Sequence, residues 1–182
     1  MQAIYLAGAI SEVSPEYAVG WRRAAGSYLE RAGFKVFDPT SGKDLTLPGI
    51  NMDYYTPEGI VEADLDAIWQ SDIILAEIAL KGVAYHGTSM ELAYAYNWNK
   101  LVFVWGGATS YWVRYHATEI FDELTEALER IAALKALCAP VNTKEELKFG
   151  QRNTQKKGLG SLLTGRKLQC DRFRTGLELS SS

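Results

Sequence analysis

The segment from Asp72 to Ile78 constrains the fold most, because its apolar residues are nearly continuous rather than alternating with polar ones. A short run of this kind, rich in β-branched side chains and bounded by polar residues, is typical of a strand that is covered on both faces. Strands covered on both faces belong to parallel sheets with helices on each side. The segment therefore predicts an α/β protein.

Four more strands and several helices fit the same architecture. The predicted strands are 3–7, 34–37, 72–78, 101–105 and 117–121, and the predicted helices are 15–32, 56–70, 89–99 and 122–137. The order reads βαβαβαβαβα, although no residues are assigned to the helix between the last two strands. This alternation predicts a flavodoxin-like, doubly wound, five-stranded parallel sheet in the order 2-1-3-4-5, with helices on both faces. Ligands of such sheets bind at the carboxyl ends of the strands, beside the first strand.

Charge divides the 182 residues into two parts. Residues 1–143 carry 10 Lys and Arg against 18 Asp and Glu, which is a net charge of −8, and the remaining residues carry 9 against 4, a net charge of +5. We expect one α/β domain over residues 1–141 and a basic, flexible C-terminal extension over residues 142–182. The acidic domain makes nucleic acid an unlikely ligand. No apolar run is long enough for a membrane span and no signal-peptide pattern occurs, so we expect a cytoplasmic protein.

Familiar cofactor and metal motifs are absent from the sequence. Ser41-Gly42-Lys43 lacks the first glycine of a P-loop and is followed by Asp44 rather than Ser or Thr, and no GxGxxG motif occurs. His86 and His116 lie outside any HExxH motif, and the two cysteines have no CxxC spacing. We therefore expect neither a cofactor nor a metal.

The turn from Tyr85 to Ala95 is the candidate site for chemistry, because it places the Glu91 carboxylate at the start of a helix. Thr88-x-x-Glu91 has the spacing of a capping box, with Thr88 as N-cap and Glu91 at N3. A helix from Ser89 would place Met90, Ala93, Tyr94 and Asn97 on one face. Glu91 has two interpretations at this point. It could cap the helix, or it could be a nucleophile that the positive helix end holds ionised.

Three sequence blocks resemble the nucleoside 2-deoxyribosyltransferase family, which includes related nucleotide N-glycosidases and cytidylate hydrolases. The blocks are Ile4-Tyr5-Leu6-Ala7-Gly8, Glu62-Ala63-Asp64-Leu65-x-x-Ile68-x-x-Ser71-Asp72 and Gly87-Thr88-x-x-Glu91-Leu92-x-Tyr94-Ala95. They occur in order across residues 3–137. The resemblance implies cleavage of the N-glycosidic bond of a 2'-deoxyribonucleoside or its 5'-phosphate.

The resemblance also implies roles for individual residues. Glu91 matches the nucleophile that forms a covalent deoxyribosyl-enzyme, Tyr5 matches the residue that orients it, and Asp64 matches an acid that handles the proton of the base. The implied ligands are a nucleoside or nucleotide and a nucleobase, and the implied assembly is a homo-oligomer. The residues expected to bind substrate are Gly8, Ser11, Tyr85, Gly87, Thr88 and Ser89.

One position departs from the transferase pattern. Tyr85 stands six residues before Glu91, where the transferases carry an Asp that contacts the base. The run from Gly87 to Glu91 is similar to that of the cytidylate hydrolases, and Ser11, Arg22 and Arg23 are candidates for holding a 5'-phosphate. An aromatic pocket formed by Tyr54, Tyr55 and Tyr85 would instead exclude water and favour transfer. Three hypotheses follow: a deoxyribosyltransferase, which we place first, a nucleotide N-glycosidase, and a non-catalytic nucleotide-binding module.

Overall fold

The computed structural model of the chain describes residues 2–43, 45, 56–107 and 110–138. Strands and helices alternate along these residues. They are β1 (Ala3–Ala7), α1 (Pro15–Arg31), β2 (Lys35–Phe37), α2 (Pro57–Trp69), β3 (Ile73–Glu77), α3 (His86–Asn97), β4 (Leu101–Trp105), α4 (Tyr111–His116), β5 (Glu119–Phe121) and α5 (Leu124–Cys138). Helix α4 is the helix between the last two strands, for which the sequence predicted no residue range.

The five strands form one parallel sheet in the order β2-β1-β3-β4-β5, which confirms the predicted fold. Tyr5 in β1 lies between Phe37 of β2 and Ile74 of β3. After β1 the chain forms β2 on one side of β1, and it later forms β3 on the other side of β1. Crossovers of one hand then place α1 and α2 on opposite faces, and a crevice opens at the carboxyl ends of β1 and β3.

One face of the sheet packs against α2, α3 and α4. Alternate strand residues point to this face, and they meet one or two apolar residues from each helix. The buried cluster comprises Tyr5, Ala7, Ile74, Ala76, Val102 and Val104 of the strands and Ile68, Leu92, Ala95 and Val113 of the helices. The side chain of Tyr5 therefore lies between the sheet and this helical layer.

The other face of the sheet is covered by α1. Strand residues of the opposite parity, such as Leu6 and Leu75, are fully buried on this side. The indole of Trp21 in α1 meets that of Trp105 in β4 edge to face, with ring centroids 5.7 Å apart. The prediction of helices on both faces is confirmed.

The start of α3 differs from the prediction. The helix begins at His86 with Tyr85 as its N-cap, and the Ser89 amide already donates to the Tyr85 carbonyl at 2.9 Å. Thr88 is buried rather than at the cap, so the expected Thr88-x-x-Glu91 capping box does not form. Glu91 is the sixth residue of the helix instead of N3.

The apolar face predicted for α3 is also wrong. Leu92 and Ala95 are fully buried against the sheet, whereas Met90 and Tyr94 are 63% and 41% exposed. Only some of the apolar residues of α3 thus contact the sheet, and the others point outward.

Large apolar side chains remain exposed across all three helices of that layer. We call this surface the outer apolar face, and it comprises Val61, Trp69, Met90, Tyr94, Tyr96, Tyr111, Trp112 and Tyr115. Val61 and Trp69 of α2 are apolar, yet they are 55% and 53% exposed. Helix α1, all of whose residues are described, exposes no large apolar side chain to the same degree.

Residues 1–130 form one compact unit that contains the whole sheet. A second unit comprises residues 131–182, and its described residues, 131–138, are the last part of α5. The predicted extension over residues 142–182 and the aromatic residues Tyr54 and Tyr55 lie outside the described residues. Within the described chain, no helix is both long enough and apolar enough to span a membrane.

Candidate active site

Tyr5, Asp64 and Glu91 come together at the carboxyl end of the sheet. The Tyr5 hydroxyl donates a hydrogen bond of 2.7 Å to Glu91 Oε1, between residues 86 positions apart in the chain. Asp64, on α2, is close enough to interact electrostatically with both. The arrangement joins one residue each from β1, α2 and α3.

Local structure explains why these three side chains converge. Tyr5 is 1% exposed, because its strand position points into the layer beneath α2 and α3. Helix α2 starts where the sequence predicts, since Thr56 accepts a hydrogen bond from the Gly59 amide and Pro57 occupies the first turn. Glu91 directly precedes the buried Leu92 on α3, and its carboxylate reaches the hydroxyl of Tyr5.

Burial governs the ionisation of the three groups. Desolvation raises the pKa of Glu91 to about 7, against the lowering effect of the Tyr5 hydrogen bond. Desolvation likewise raises the pKa of Asp64, although Lys43, the Tyr5 hydroxyl and Arg22 act in the opposite direction. It also raises the pKa of Tyr5 far above its usual range, with Glu91 adding to the effect. Tyr5 is therefore a permanent hydrogen-bond donor.

The expectation that the helix end keeps Glu91 ionised is wrong. The helix dipole acts within the first turn, whereas Glu91 lies in the second turn of α3. Burial outweighs the dipole there and raises the pKa of Glu91 to about 7.

A second carboxylate, Glu77, is fully buried at the end of β3. Its Oε1 accepts hydrogen bonds from the hydroxyls of Tyr17 at 3.0 Å and Tyr85 at 2.6 Å, and from the Ala79 amide at 2.6 Å. The Tyr85 hydroxyl in turn accepts a bond of 3.0 Å from the Leu80 amide. Glu77 thus connects α1, β3 and the segment between β3 and α3.

Unpaired polar atoms concentrate around Glu77. Among the described residues, three buried side-chain atoms have no hydrogen-bond partner: Trp21 Nε1, Glu77 Oε2 and Trp105 Nε1. Trp105 is the neighbour of Glu77 in the sheet register, and Trp21 packs on Trp105. Buried polar groups without partners are rare in folded proteins. Their presence indicates that the side chains around Glu77, which we call the Glu77 corner, do more than fill the core.

Gly8 lies directly over this corner. A Cβ at position 8 would come within 3.0 Å of both the Glu77 Cβ and the Trp21 ring, and its φ of +155° favours glycine. Any side chain larger than hydrogen at position 8 would therefore push against Glu77 and Trp21. Glu12, in the same loop, accepts a bond of 3.0 Å from the Ala84 amide. This bond ties the loop after β1 to the segment after β3.

The side chain of Arg22 stabilises the loop after β1. It is fully buried, and its guanidinium donates to the carbonyl oxygens of Leu6, Gly8, Ala9 and Ala18 at 2.8–3.3 Å. It also lies 3.9 Å from Asp38. These bonds explain how a buried cation is tolerated. They also rule out the predicted phosphate contact for Arg22, since its donors are committed to the backbone.

A cavity of about 540 Å³ opens between α1 and the segment after β2. Arg23, Asp38, Thr40 and Lys43 are among its lining residues, and Glu91, Tyr5 and Asp64 are not. The structure thus places Arg23 beside this cavity, away from the candidate nucleophile. Lys43 links the two areas electrostatically, because its charge acts on Asp64.

The remaining predicted site residues divide by exposure. Ser11 and Gly87 are exposed, Ser89 and Tyr85 are half-buried, and Thr88 is buried. Ser11 lies in the loop after β1, and the other four belong to the start of α3 or its N-cap. His86 is exposed as well, and the described residues contain no group of three His, Cys, Asp or Glu side chains suited to a metal.

Sequence reasoning missed Tyr17 and Glu77. A signal for Glu77 was present, because a carboxylate at the end of an otherwise apolar, doubly covered strand must be paired or functional. Tyr17 gave no comparable signal, since its contact with Glu77 spans 60 positions of the chain.

Fold and site together define a class: doubly wound α/β proteins that bring a carboxylate and a tyrosine together at the carboxyl edge of the sheet. Residues 4–128 match the nucleoside 2-deoxyribosyltransferase family, and the chain belongs to that family. It is therefore an enzyme that acts on N-glycosidic bonds.

Solved structures agree with this fold. A 2-deoxyribosyltransferase from Bacillus psychrosaccharolyticus is 23% identical, with a TM-score of 0.53 over 69% of this chain and 90% of its own. A 2-deoxyribosyltransferase from Leishmania mexicana is 16% identical, with a TM-score of 0.55 over 73% and 98%. A CMP N-glycosidase from Clostridium botulinum is 20% identical, with a TM-score of 0.49 over 71% and 98%. No curated protein sequence matches the chain.

Proposed function

We propose that the protein cleaves the N-glycosidic bond of 2'-deoxyribonucleosides and transfers the deoxyribosyl group to another nucleobase through a covalent intermediate on Glu91. The observation that carries this proposal is the 2.7 Å hydrogen bond from the buried Tyr5 hydroxyl to Glu91 Oε1. The bond fixes the orientation of the carboxylate at the crevice edge, where ligands of this fold bind. Family membership supplies the reaction class.

In the proposed first step, an oxygen of ionised Glu91 attacks the anomeric carbon. The C–N bond breaks, and its electron pair leaves with the base, which takes up a proton. Asp64 suits the role of proton donor, because burial raises its pKa and so favours the neutral acid. In the second step a nitrogen of another base attacks the same carbon and gives up its proton to Asp64, and Glu91 departs as a carboxylate. Two displacements retain the anomeric configuration.

The test is a base-exchange assay. Incubated with one deoxynucleoside and a different free base, the protein should form the exchanged deoxynucleoside faster than free deoxyribose, as resolved by liquid chromatography. The Glu91→Gln variant is the matched control, because it keeps the size and the hydrogen-bonding capacity of the side chain. Exchange by that variant at the wild-type rate would contradict the proposed nucleophile.

The alternative is a nucleoside 5'-monophosphate N-glycosidase, in which water takes the place of the second base. One observation favours it: the hydroxyl of Tyr85 is committed to Glu77 and Leu80, and no carboxylate occupies position 85 to contact a base. The same assay with monophosphates distinguishes the two functions. Preferred cleavage of monophosphates, with release of base and no exchange, would replace transfer by hydrolysis.

We also propose that the protein is a homo-oligomer whose subunits meet through the outer apolar face. The support is family membership together with Met90, which is 63% exposed and precedes Glu91 directly in the chain. An interface there would bring a second subunit next to the candidate site. Analytical ultracentrifugation should give a multiple of the chain mass. Trp112→Glu should reduce that mass, whereas the α1 variant Arg23→Glu should leave it unchanged.

A further inference from the structure

Glu77 lies on the opposite side of the crevice edge from Glu91. Residue parity places the Glu77 side chain on the α1 face of the sheet, and its contacts with Tyr17 and Tyr85 lie on that side. Glu91 and Tyr5 belong to the face covered by α2, α3 and α4. The two carboxylates therefore flank the carboxyl end of the same pair of strands.

Displacement at the anomeric carbon has a geometric requirement that connects these two sides. The nucleophile and the leaving group stand on opposite sides of the carbon that is attacked. If Glu91 attacks from the α3 side, as the proposed function requires, the departing base lies on the far side of the carbon, with Asp64 of α2 at one edge of it and the α1 side at the other. Tyr17 and Tyr85 are the half-buried aromatic residues that Glu77 holds there.

The hydroxyl protons of both tyrosines are committed to Glu77. A tyrosine hydroxyl has one proton to donate and two lone pairs to accept with. Tyr85 donates to Glu77 and accepts from the Leu80 amide. Tyr17 also donates to Glu77, and burial together with Glu77 raises its pKa, so it keeps that proton. Tyr17 therefore offers a substrate hydrogen-bond acceptors and no donor.

We propose that Glu77 is a specificity-determining positioning residue, which fixes Tyr17 as a hydrogen-bond acceptor at the base side of the crevice and so selects nucleobases with an exocyclic amino group. This inference rests on the proposed function, because it requires that a nucleoside or nucleotide is cleaved at Glu91. An amino group, as on cytosine or adenine, donates to the Tyr17 oxygen. A carbonyl at the same place, as in uracil, is itself an acceptor, so it cannot form a hydrogen bond with the Tyr17 oxygen.

The cost of two opposed acceptors sets the expected preference. Leaving a polar group unpaired in a desolvated site typically lowers the rate constant by roughly 10- to 100-fold. Cytosine and uracil differ at the ring position that carries the amino or carbonyl group, and at the adjacent ring nitrogen. A comparison of deoxycytidine with deoxyuridine keeps the sugar and the Glu91 chemistry constant.

The experiment measures kcat/KM for deoxycytidine and deoxyuridine, and for their 5'-monophosphates, with the wild-type protein and three variants. The wild type should prefer the cytosine substrate roughly 10- to 100-fold. Tyr17→Phe removes the acceptor oxygen, so the ratio should approach one. Glu77→Gln leaves an amide that can donate, which releases the tyrosine protons, and the ratio should fall in the same direction. Tyr28→Phe, in the same helix, is the matched control and should keep the wild-type ratio.

The outcomes separate this inference from the proposed function. Equal cleavage of the cytosine and uracil substrates by the wild type, or an unchanged preference in Tyr17→Phe, would overturn the inference alone. If none of the four substrates is cleaved, the proposed function fails and the inference fails with it. Should Glu77→Gln not fold, as judged by circular dichroism, Tyr17→Phe decides the matter, because it leaves Glu77 its bonds to Tyr85 and Ala79.

Discussion

A half-buried carboxylate, Glu91, and a fully buried one, Glu77, flank the crevice, and they differ in how many hydrogen bonds they accept. Within the described chain, Glu91 accepts one side-chain hydrogen bond, from Tyr5, whereas a single oxygen of Glu77 accepts three. A carboxylate that holds other groups in place accepts several hydrogen bonds, as Glu77 Oε1 does, although Glu77 Oε2 has no partner. The Tyr5 bond instead orients a single carboxylate, Glu91. The same residue types, carboxylate and tyrosine, thus suit two different tasks on the two sides of one sheet edge.

Replacing the two carboxylates one at a time is the strongest test of whether they have different roles. We expect Glu91→Gln to lower the rate of deoxynucleoside cleavage by about a thousandfold or more, because the nucleophile itself is lost. Glu77→Gln should retain cleavage and change the choice of base. Chromatographic rates and circular dichroism spectra of both variants provide the test. A Glu91→Gln protein that remains fully active would show that the roles are wrongly assigned.

Trapping the intermediate is the positive counterpart of that loss. A 2-fluoro-deoxyribosyl substrate should leave a covalent adduct whose mass maps to the peptide containing Glu91. An active enzyme that never forms the adduct would indicate direct displacement instead.

Removing the tyrosine hydroxyl at the Glu91 side should have the next largest effect. Tyr5→Phe loses the bond that orients Glu91 Oε1, and we expect kcat to fall by about 10- to 100-fold. The same bond favours the ionised carboxylate, so the pKa of Glu91 should rise in this variant. The loss of activity should therefore be larger at pH 6 than at pH 8. A loss that is equal at both values would restrict Tyr5 to packing.

The pH dependence of the wild type sharpens the comparison further. Attack requires ionised Glu91, whose pKa burial raises to about 7, so kcat/KM should fall as the pH is lowered through that value. Between pH 8 and pH 6 we expect a decrease of about tenfold. A profile that is flat over this range would mean that another group limits the reaction.

The smallest expected effect concerns stability. Because folding raises the pKa of Glu91 above its ordinary value of 4.5, the contribution of this group is fully present below pH 4.5 and is lost as the pH rises through about 7. Glu91→Gln does not suffer this loss, so it should be more stable than the wild type by about 3 kcal/mol at pH 8. The difference should disappear at pH 4.5. Thermal unfolding at the two pH values measures it.

Much of the fold was predictable because it depends on local patterns. The sequence predicted β1 at residues 3–7 and β4 at 101–105, and both strands have these bounds. The start of α3 was not predictable from its capping motif, because Thr88 is buried instead of forming a cap. The outward side of α3 was misjudged for a related reason. An apolar pattern shows which residues avoid water but not which surface covers them.

The candidate site was predictable only in part. Resemblance placed Tyr5, Asp64 and Glu91 together, and the structure brings these three side chains together. The Glu77 corner depends on contacts such as Tyr17 to Glu77, which bridge distant positions through the strand register and the direction of each side chain. Neither quantity can be read from one sequence. The pKa of Glu91 also depends on its burial in the folded chain.

The way Arg22 supports the loop after β1 has a consequence for how this enzyme can change over evolutionary time. Its guanidinium holds carbonyl oxygens, which every amino acid possesses, rather than particular side chains. Residues at positions such as 10, 11 and 13 can therefore be exchanged while the anchor of the loop stays in place. New substrate preferences could be acquired there by single substitutions, without rebuilding the scaffold that positions Glu91.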